Sequence, residues 1–401
     1  MVSKIIIRQL LAFYIAIFIR VFWLLTPVVL FFYQENGLNY KHLFLFQGIF
    51  YLTSIIMEFP IGYIVDNHSK KKVFYCSFLL LLLVSILWFG FRGFWVVLLG
   101  EILMAISKVI LDNTQSGYLY EYLSANRLRQ SMSKCYGYLS AIVSLGFASA
   151  SILGAIIYAK FGSKTILIAE IVFLIIGMLL LLYFPDVKKT KENNSKRSER
   201  LKNFLKSSKE IYNNNSIKYH IYTSGLLTSL SVLFAISFQP FMQKALFPVF
   251  LFGVVTFLNH GIRALSGFIA GKVNKFVRLK SLVIPLYFSY IVAFLCIFLI
   301  LLKGGFVLTA IMIVLLCMII GFQLLFSILH ISRVHKFVDG KDRGNLMSVN
   351  NFIGRGFTAT ILLSSKALMD KFSMLGFFGC VFLIFITFGT YFMYRTYKES
   401  E

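Results

Sequence analysis

Glu101, Lys108 and Asp112 interrupt a stretch that is otherwise apolar. Their separations of seven and four residues place them, at about 100° per residue, within about 40° of one another on a helix. They make one charged stripe. Arg20 and Glu58 stand inside two other apolar runs and are expected to face the same interior, and Glu170 stands in a third with no evident partner. Carboxyls beside fixed cations suit proton exchange, because partial dehydration and a nearby cation act in opposite senses on proton affinity. A motion that changes the distance between acid and cation then couples proton binding to conformation. The alternative is a permanently ionised network that holds three helices together.

The elements that must position these groups follow from composition. Of the 401 residues, 58% are hydrophobic and 14% charged, against about 45–50% and about 25% in soluble domains. A bilayer-spanning helix needs roughly 20 mostly apolar residues. Twelve such runs are present, near 9–33, 43–65, 73–91, 95–117, 135–159, 163–184, 219–240, 246–270, 281–302, 305–330, 346–367 and 374–394. The expected fold is an all-α integral membrane protein of twelve transmembrane helices arranged as two pseudo-symmetric six-helix bundles. This excludes a water-soluble enzyme, a secreted disulfide scaffold and a disordered chain. In this medium an ionised group at mid-membrane costs about 2.5–3.5 kcal/mol on insertion scales, so the stripe must line water or meet partners.

The net charge of +24 is topological. With a cytoplasmic N-terminus, the inner segments hold 28 Lys and Arg and the outer loops eight, as the positive-inside rule requires. Nucleic acid is therefore not an expected partner. The first run continues past Pro27 with no small-residue cleavage pattern, so it reads as a retained helix. The five cysteines fall in or beside five different runs, without C-x-x-C spacing or His partners, and support neither a metal site nor disulfides. Residues 186–218, with ten Lys and Arg, divide the chain into an N-terminal bundle (1–185) and a C-terminal bundle (219–401). Within this linker Leu201, Phe204, Leu205, Ser208, Ile211 and Tyr212 recur at helical spacing, which suggests an interfacial helix on the anionic inner leaflet; a flexible tether is the alternative.

The halves echo each other: Pro27 and Pro240 lie late in the first and seventh runs, and Gly62-Tyr63-Ile64 and Gly267-Phe268-Ile269 close the second and eighth. A six-plus-six repeat is a common plan for transporters with a midplane site. No acid lies inside runs seven to twelve, so proton chemistry is expected in the first half. Gln239, Arg263, Gln323, Asn350 and Arg355 are the candidate substrate-cavity groups of the second half, with Asn351 beside them.

Gly62-Tyr63-Ile64-Val65-Asp66-Asn67-His68-Ser69-Lys70-Lys71-Lys72 resembles the loop 2–3 signature G-x-x-x-D-x-x-G-[RK]-[RK]-[RK] of the major facilitator superfamily, with Ser69 in place of a Gly. Gly62, Asp66, Lys70, Lys71 and Lys72 are accordingly candidates for a conformational latch. The stretch Gly267 to Lys280 is similar but lacks the Asp, so the latch is expected to be asymmetric. The fifth run also resembles the exporters' G-x8-G-x3-G-P-x2-G-G pattern at Gly137, Gly146, Ala150, Ser151, Gly154 and Ala155. In those exporters the small residues make a close helix contact that keeps the cavity from leaking. Glu101 with Ala105 occupies what looks like the family's R-x-x-x-G position on the fourth helix, placing an exchangeable proton where the pattern has a fixed cation.

The resemblance extends to bacterial drug and antibiotic proton antiporters through Pro27 after an Arg-containing first helix and through Phe238-Gln239-Pro240. It implies proton-coupled efflux of a small amphipathic compound by alternating access, with no cofactor and no catalytic residue. It further implies a monomer in contact with membrane lipids, located in the cell membrane with both termini cytoplasmic. A proton-coupled nutrient importer and a non-transporting sensor or lipid-handling protein are the alternatives. No G-x-x-x-x-G-K-[ST] phosphate loop is present.

Overall fold

Pro27 decides the first departure from a simple bundle. Proline lacks an N–H and its ring crowds the carbonyl four residues earlier, so a helix carrying it must bend or break. In the computed structural model, which describes residues 4–126, 128, 132–183, 186, 206, 209, 213–273, 279–334 and 343–399, the first span is broken. It consists of α1 (Lys4–Val21), a 3₁₀ turn (Thr26–Val28) and α2 (Val29–Glu35). Then follow α3 (Tyr40–Asn67), α4 (Lys70–Gly90), α5 (Phe94–Ala125) and α6 (Met132–Leu182). The second half contains α7 (Asn215–Lys244), α8 (Val249–Val273), α9 (Leu279–Lys303), α10 (Phe306–Val334), α11 (Arg343–Ile384), a π turn (Phe385–Gly389) and α12 (Thr390–Glu399).

Ten stretches among the described residues are long and apolar enough to cross a membrane. Two of them, Cys135–Leu182 and Ser348–Lys398, run for 48 and 51 residues. At 1.5 Å per residue such a helix would be about 70 Å long, more than twice the roughly 30 Å hydrocarbon core. Each is therefore two spans, folded back where the backbone leaves the helix: at Gly162 (φ 78°) in α6 and at Ser373 (φ 65°) in α11. Counted this way the spans are twelve, as the apolar runs predict. Of the linker, only Asp186, Lys206, Lys209 and the residues from Asn213 onward lie within the described residues, so the expected interfacial helix falls largely outside them.

The chain divides into two compact units. Unit 1 comprises Met1–Asn39, Thr53–Ser195 and Pro248–His260, and unit 2 comprises Tyr40–Leu52, Lys196–Phe247 and Gly261–Glu401. α3 and α8 thus each contribute residues to both. Unit 1 has a continuous apolar core in which Phe13, Ile17 and Val21 of α1 meet Phe74 and Phe78 of α4, Leu119 of α5 and Leu174 and Leu181 of α6. In unit 2, Tyr290 donates its hydroxyl proton to the Leu227 carbonyl (2.8 Å) and sits 2.6 Å from the Ser231 hydroxyl. Phe234 and Phe385 pack against its ring, and Phe294 packs against both of them.

Candidate functional site

The broken first span is the organising feature of unit 1. Between Val21 and Thr26 the regular i−4 ladder stops; Trp23 N–H turns to the Val21 carbonyl (2.9 Å), and the Thr26 hydroxyl donates to the Trp23 carbonyl (3.0 Å). Such a break frees backbone N–H groups that in a membrane interior must find other acceptors. Glu170 supplies one. Its Oε1 accepts the Leu25 N–H at 3.0 Å, and the Leu24 N–H is a second donor to the same carboxyl. The acid that had no partner in the sequence therefore caps an irregular stretch of backbone 145 residues away in the chain.

The α6 glycines explain how the break is approached so closely. A Cβ built on Gly154 would stand 1.9 Å from the Leu24 carbonyl oxygen, and one on Gly146 would stand 2.5 Å from Val21 Cγ2. Any side chain at Gly154 would have to displace main chain. At Gly137 a Cβ would meet nothing within 4 Å.

The two arms of the first span deliver different chemistry. On the α1 arm, the Arg20 guanidinium donates to Ser107 of α5 and, at 3.4 Å, to Ser77 of α4, while its carbon lies 5.9 Å from the centre of the Phe78 ring. The Ser107 hydroxyl passes its own proton to the Ser77 carbonyl at 2.6 Å. On the α2 arm, the Tyr33 hydroxyl donates to Glu101 of α5, and both side chains are fully buried. About two turns further along α5, the Lys108 ammonium meets both Asp112 oxygens at 2.6 Å in a half-exposed pair.

Glu101, Lys108 and Asp112 all lie on α5, but their partners divide. The hydrogen bonds of Arg20, a group expected to face the same interior, go to serine hydroxyls, with Asp112 acting on it only through the electrostatic field. The reason is depth, since each arm reaches only the turn of α5 at its own level. Tyr33 was not separable in the sequence from 44 Phe and 20 other Tyr. Glu58 is on α3, partly buried, two turns before Asp66.

At the other end of unit 1, the latch candidates gather around the α3–α4 turn. Ser69 caps α4, accepting the Lys72 N–H at 3.4 Å and donating its own hydroxyl to Asp186 at 2.6 Å. The serine that replaces the signature glycine is thus a helix cap, a role that glycine fills less well. Lys70 pairs with Glu121 of α5, with only 11% and 18% of the two side chains exposed, and Lys71 donates to the Leu182 carbonyl at 3.2 Å. Gly62 is buried, and Asp66 lies in the last turn of α3. Glu121 escaped the sequence reading because it lies beyond the apolar run, where acids are ordinary. We expect Lys70→Gln to lower thermal stability by about 3 kcal/mol, the scale of breaking a mostly buried pair. The exchange Lys70→Glu with Glu121→Lys should recover most of it in thermal unfolding of the purified protein.

In unit 2, Gln323 of α10 donates to the Thr228 hydroxyl of α7 at 3.0 Å. Arg263 of α8 lies within electrostatic reach of Tyr51 and Tyr290. Gln239 sits in α7 next to Pro240; Asn350 and Arg355 are partly buried on α11, and the buried Asn350 Oδ1 has no hydrogen-bond partner. The sequence reading also missed His220 and His330, buried rings of α7 and α10 whose centroids are 4.6 Å apart. Both ring nitrogens of His330 lack hydrogen-bond partners. Their 110-residue separation in sequence hides the pairing. Among the described residues no group of three or more His, Cys, Asp or Glu could hold a metal ion.

Twelve helical spans with buried ionisable groups around a broken helix make a multi-pass membrane protein. The sequence profile of the Major Facilitator Superfamily matches residues 11–362, and the chain belongs to that family. Solved structures agree on the fold. A mutant of the nucleoside transporter NupG superposes with a TM-score of 0.77 at 15% identity, covering 98% of this chain and 100% of that one. NupG without that mutation superposes with 0.72 at 13% identity, covering 99% of each. A bacterial homologue of the human lysosomal transporter Spinster, solved inward-facing and unoccupied, gives 0.66 at 14% identity over 99% of this chain and 93% of that chain. No curated protein sequence matches the chain.

Proposed function

We propose that this transporter exports a small amphipathic compound in exchange for protons, by alternating access. The observation that carries the reading is Glu101, a fully buried carboxyl whose hydrogen-bond donor is the uncharged Tyr33 hydroxyl and which occupies the position where the family pattern has an arginine. Lys108 and Asp112, a half-exposed pair about two to three turns away on the same face, offer the route by which a proton reaches it. Arg20 and Glu58 complete the coupling set, and Gln239, Arg263, Gln323, Asn350 and Arg355 contribute to the substrate pocket. Gly62, Asp66 and Lys70 to Lys72 act as the latch. The chain works as a monomer in a bacterial cell membrane with both termini cytoplasmic, as two six-helix halves, 1–185 and 219–401, joined by the basic linker 186–218.

The test is a susceptibility panel of cationic, neutral and anionic antibiotics in a bacterial strain lacking its own exporters, with accumulation of the same compounds measured in everted vesicles. Resistance accompanied by protonophore-sensitive uptake into everted vesicles supports export. Accumulation in whole cells driven by the inward proton gradient would replace export by import. Absence of any solute-dependent proton movement would favour the sensor reading. The latch makes its own prediction: Asp66→Asn should leave insertion intact and slow transport at least about 10-fold, within the range of coupling energies that bias two-state equilibria. Wild-type rates in proteoliposomes would remove the latch from the scheme.

A further inference from the structure

Glu170 takes no part in the coupling set above, yet it is the acid most tightly bound to a piece of backbone. It lies on the second arm of α6, eight residues beyond the Gly162 turn, and is 1% exposed. Oε1 accepts the Leu25 N–H at 3.0 Å, the Leu24 N–H is directed to the same carboxyl, and Oε2 is buried without a hydrogen-bond partner. The charged groups on the elements packed around it are engaged elsewhere. Arg20 of α1 donates to Ser77 and Ser107, and Glu35 of α2 accepts from Tyr158 (2.7 Å) and Ser163 and faces Arg92 at 3.7 Å. On α4, Lys70 meets Glu121 and Lys71 the Leu182 carbonyl; on α5, Glu101 accepts from Tyr33; and Lys164 of α6 is exposed. No salt bridge to Glu170 occurs among the described residues.

A neutral amide or hydroxyl would cap two N–H groups here at lower cost than a carboxyl, so the acid must offer something that they do not. The two charge states of the carboxyl make different demands on the break. The ionised form is acceptor-only and holds two N–H groups by charge-assisted bonds about twice as strong as neutral ones. The neutral form carries a proton on Oε2 that must itself be donated, and it holds the N–H groups less well. We propose that Glu170 is a proton-binding site whose occupancy sets the winding of the first span at Leu24–Leu25. Uptake of a proton from water forms Oε2–H, no other bond being made or broken except hydrogen bonds. The Leu25 N–H is then released toward its regular helical acceptor, the Val21 carbonyl. Winding this stretch rotates α1, which carries Arg20, against α2, which carries Tyr33, and so transmits the effect of proton binding to both contacts on α5. Gly154, beneath the Leu24 carbonyl, supplies the rigid surface against which the turn moves.

The use of this proton rests on the proton-coupled reading above, but its binding can be measured without any transported solute. Attenuated-total-reflection infrared difference spectra of the purified protein, recorded between acidic and alkaline buffer, should show a protonated-carboxyl C=O band. Other carboxyls, Glu101 among them, titrate in the same spectrum, so the band is read as the difference between wild type and Glu170→Gln, which should be present and should be unchanged in a Glu101→Gln background. Hydrogen–deuterium exchange of Leu24 and Leu25, corrected for intrinsic pH dependence, should change about 10-fold across the same range in wild type, a typical coupling of one to two kcal/mol. It should be constant in Glu170→Gln. A Glu170→Gln protein whose spectrum matches wild type and that keeps the pH-dependent exchange overturns the proposal. If that variant cannot be purified, wild-type exchange decides: no pH-dependent change at Leu24 and Leu25 overturns it equally. A Glu170 signal in a protein that moves no protons with any solute would leave this site standing and overturn the coupled-export reading instead.

Discussion

Glu101→Gln is expected to abolish uphill export while leaving solute binding and downhill exchange measurable. The side chain is fully buried and accepts the Tyr33 hydroxyl proton. A glutamine keeps the carbonyl oxygen that accepts this bond and cannot release a proton, so it reproduces the protonated acid permanently. Stability should stay close to wild type, because the hydrogen bond survives. Tyr33→Phe separates geometry from chemistry: it leaves a buried acceptor without its donor, a cost of about 1–3 kcal/mol, and should lower stability while retaining pH-dependent transport. If Glu101 were instead a permanently ionised strut, its neutralisation would reduce thermal stability and binding together. The pair Lys108 and Asp112 then decides where the proton enters. Lys108→Gln with Asp112→Asn removes both charges of one bridge, so the fold should tolerate it. Gradient-driven accumulation, measured in proteoliposomes, should fall toward the downhill level; full accumulation in the double variant would exclude Asp112 and leave Glu101 to act without it.

The largest stability loss is expected at Gly154. An alanine there would place its methyl 1.9 Å from the Leu24 carbonyl oxygen, and the obstacle is main chain whose next N–H, that of Leu25, is tied to Glu170. Overpacking of a well-filled interior typically costs about 1–3 kcal/mol, and here main chain must move, so Gly154→Ala should reach the top of that range and Gly154→Leu should fail to accumulate in the membrane. Gly137→Ala is the matched control on the same helix, with nothing within 4 Å of the added carbon. It should be neutral or stabilising by up to about 1 kcal/mol, because alanine is the better helix former. Gly37, in the turn between α2 and α3, would be a poor control, since its φ of 74° strains any side chain. Equal melting temperatures for Gly154→Ala and Gly137→Ala would show that the α6 glycines do not hold the broken span in place.

The sequence by itself determined the medium and the number of spans. These depend on sums of apolar length over many residues, and no tertiary contact can reverse them. It also determined that Glu101, Lys108 and Asp112 share a face, because helical periodicity within one span is local. It further marked the α6 glycines as small residues in register, but read the first run as one helix continuing past Pro27.

What meets that face was decided only by the tertiary structure. Arg20 and Tyr33 are separated by 13 positions of one span, yet the break between them sends the first to Ser77 and Ser107 and the second to Glu101. Glu121 became the partner of Lys70, and His220 the neighbour of His330, across loops whose length carries no information about pairing. Glu170 shows the limit most clearly. In the sequence it is an acid alone in an apolar run; in the fold it accepts N–H groups that exist as free donors only because Pro27 stops a helix elsewhere in the chain. A hydrogen-bond donor created by a break in one helix is not a property of any residue type, and so it becomes visible only when the two helices are packed together.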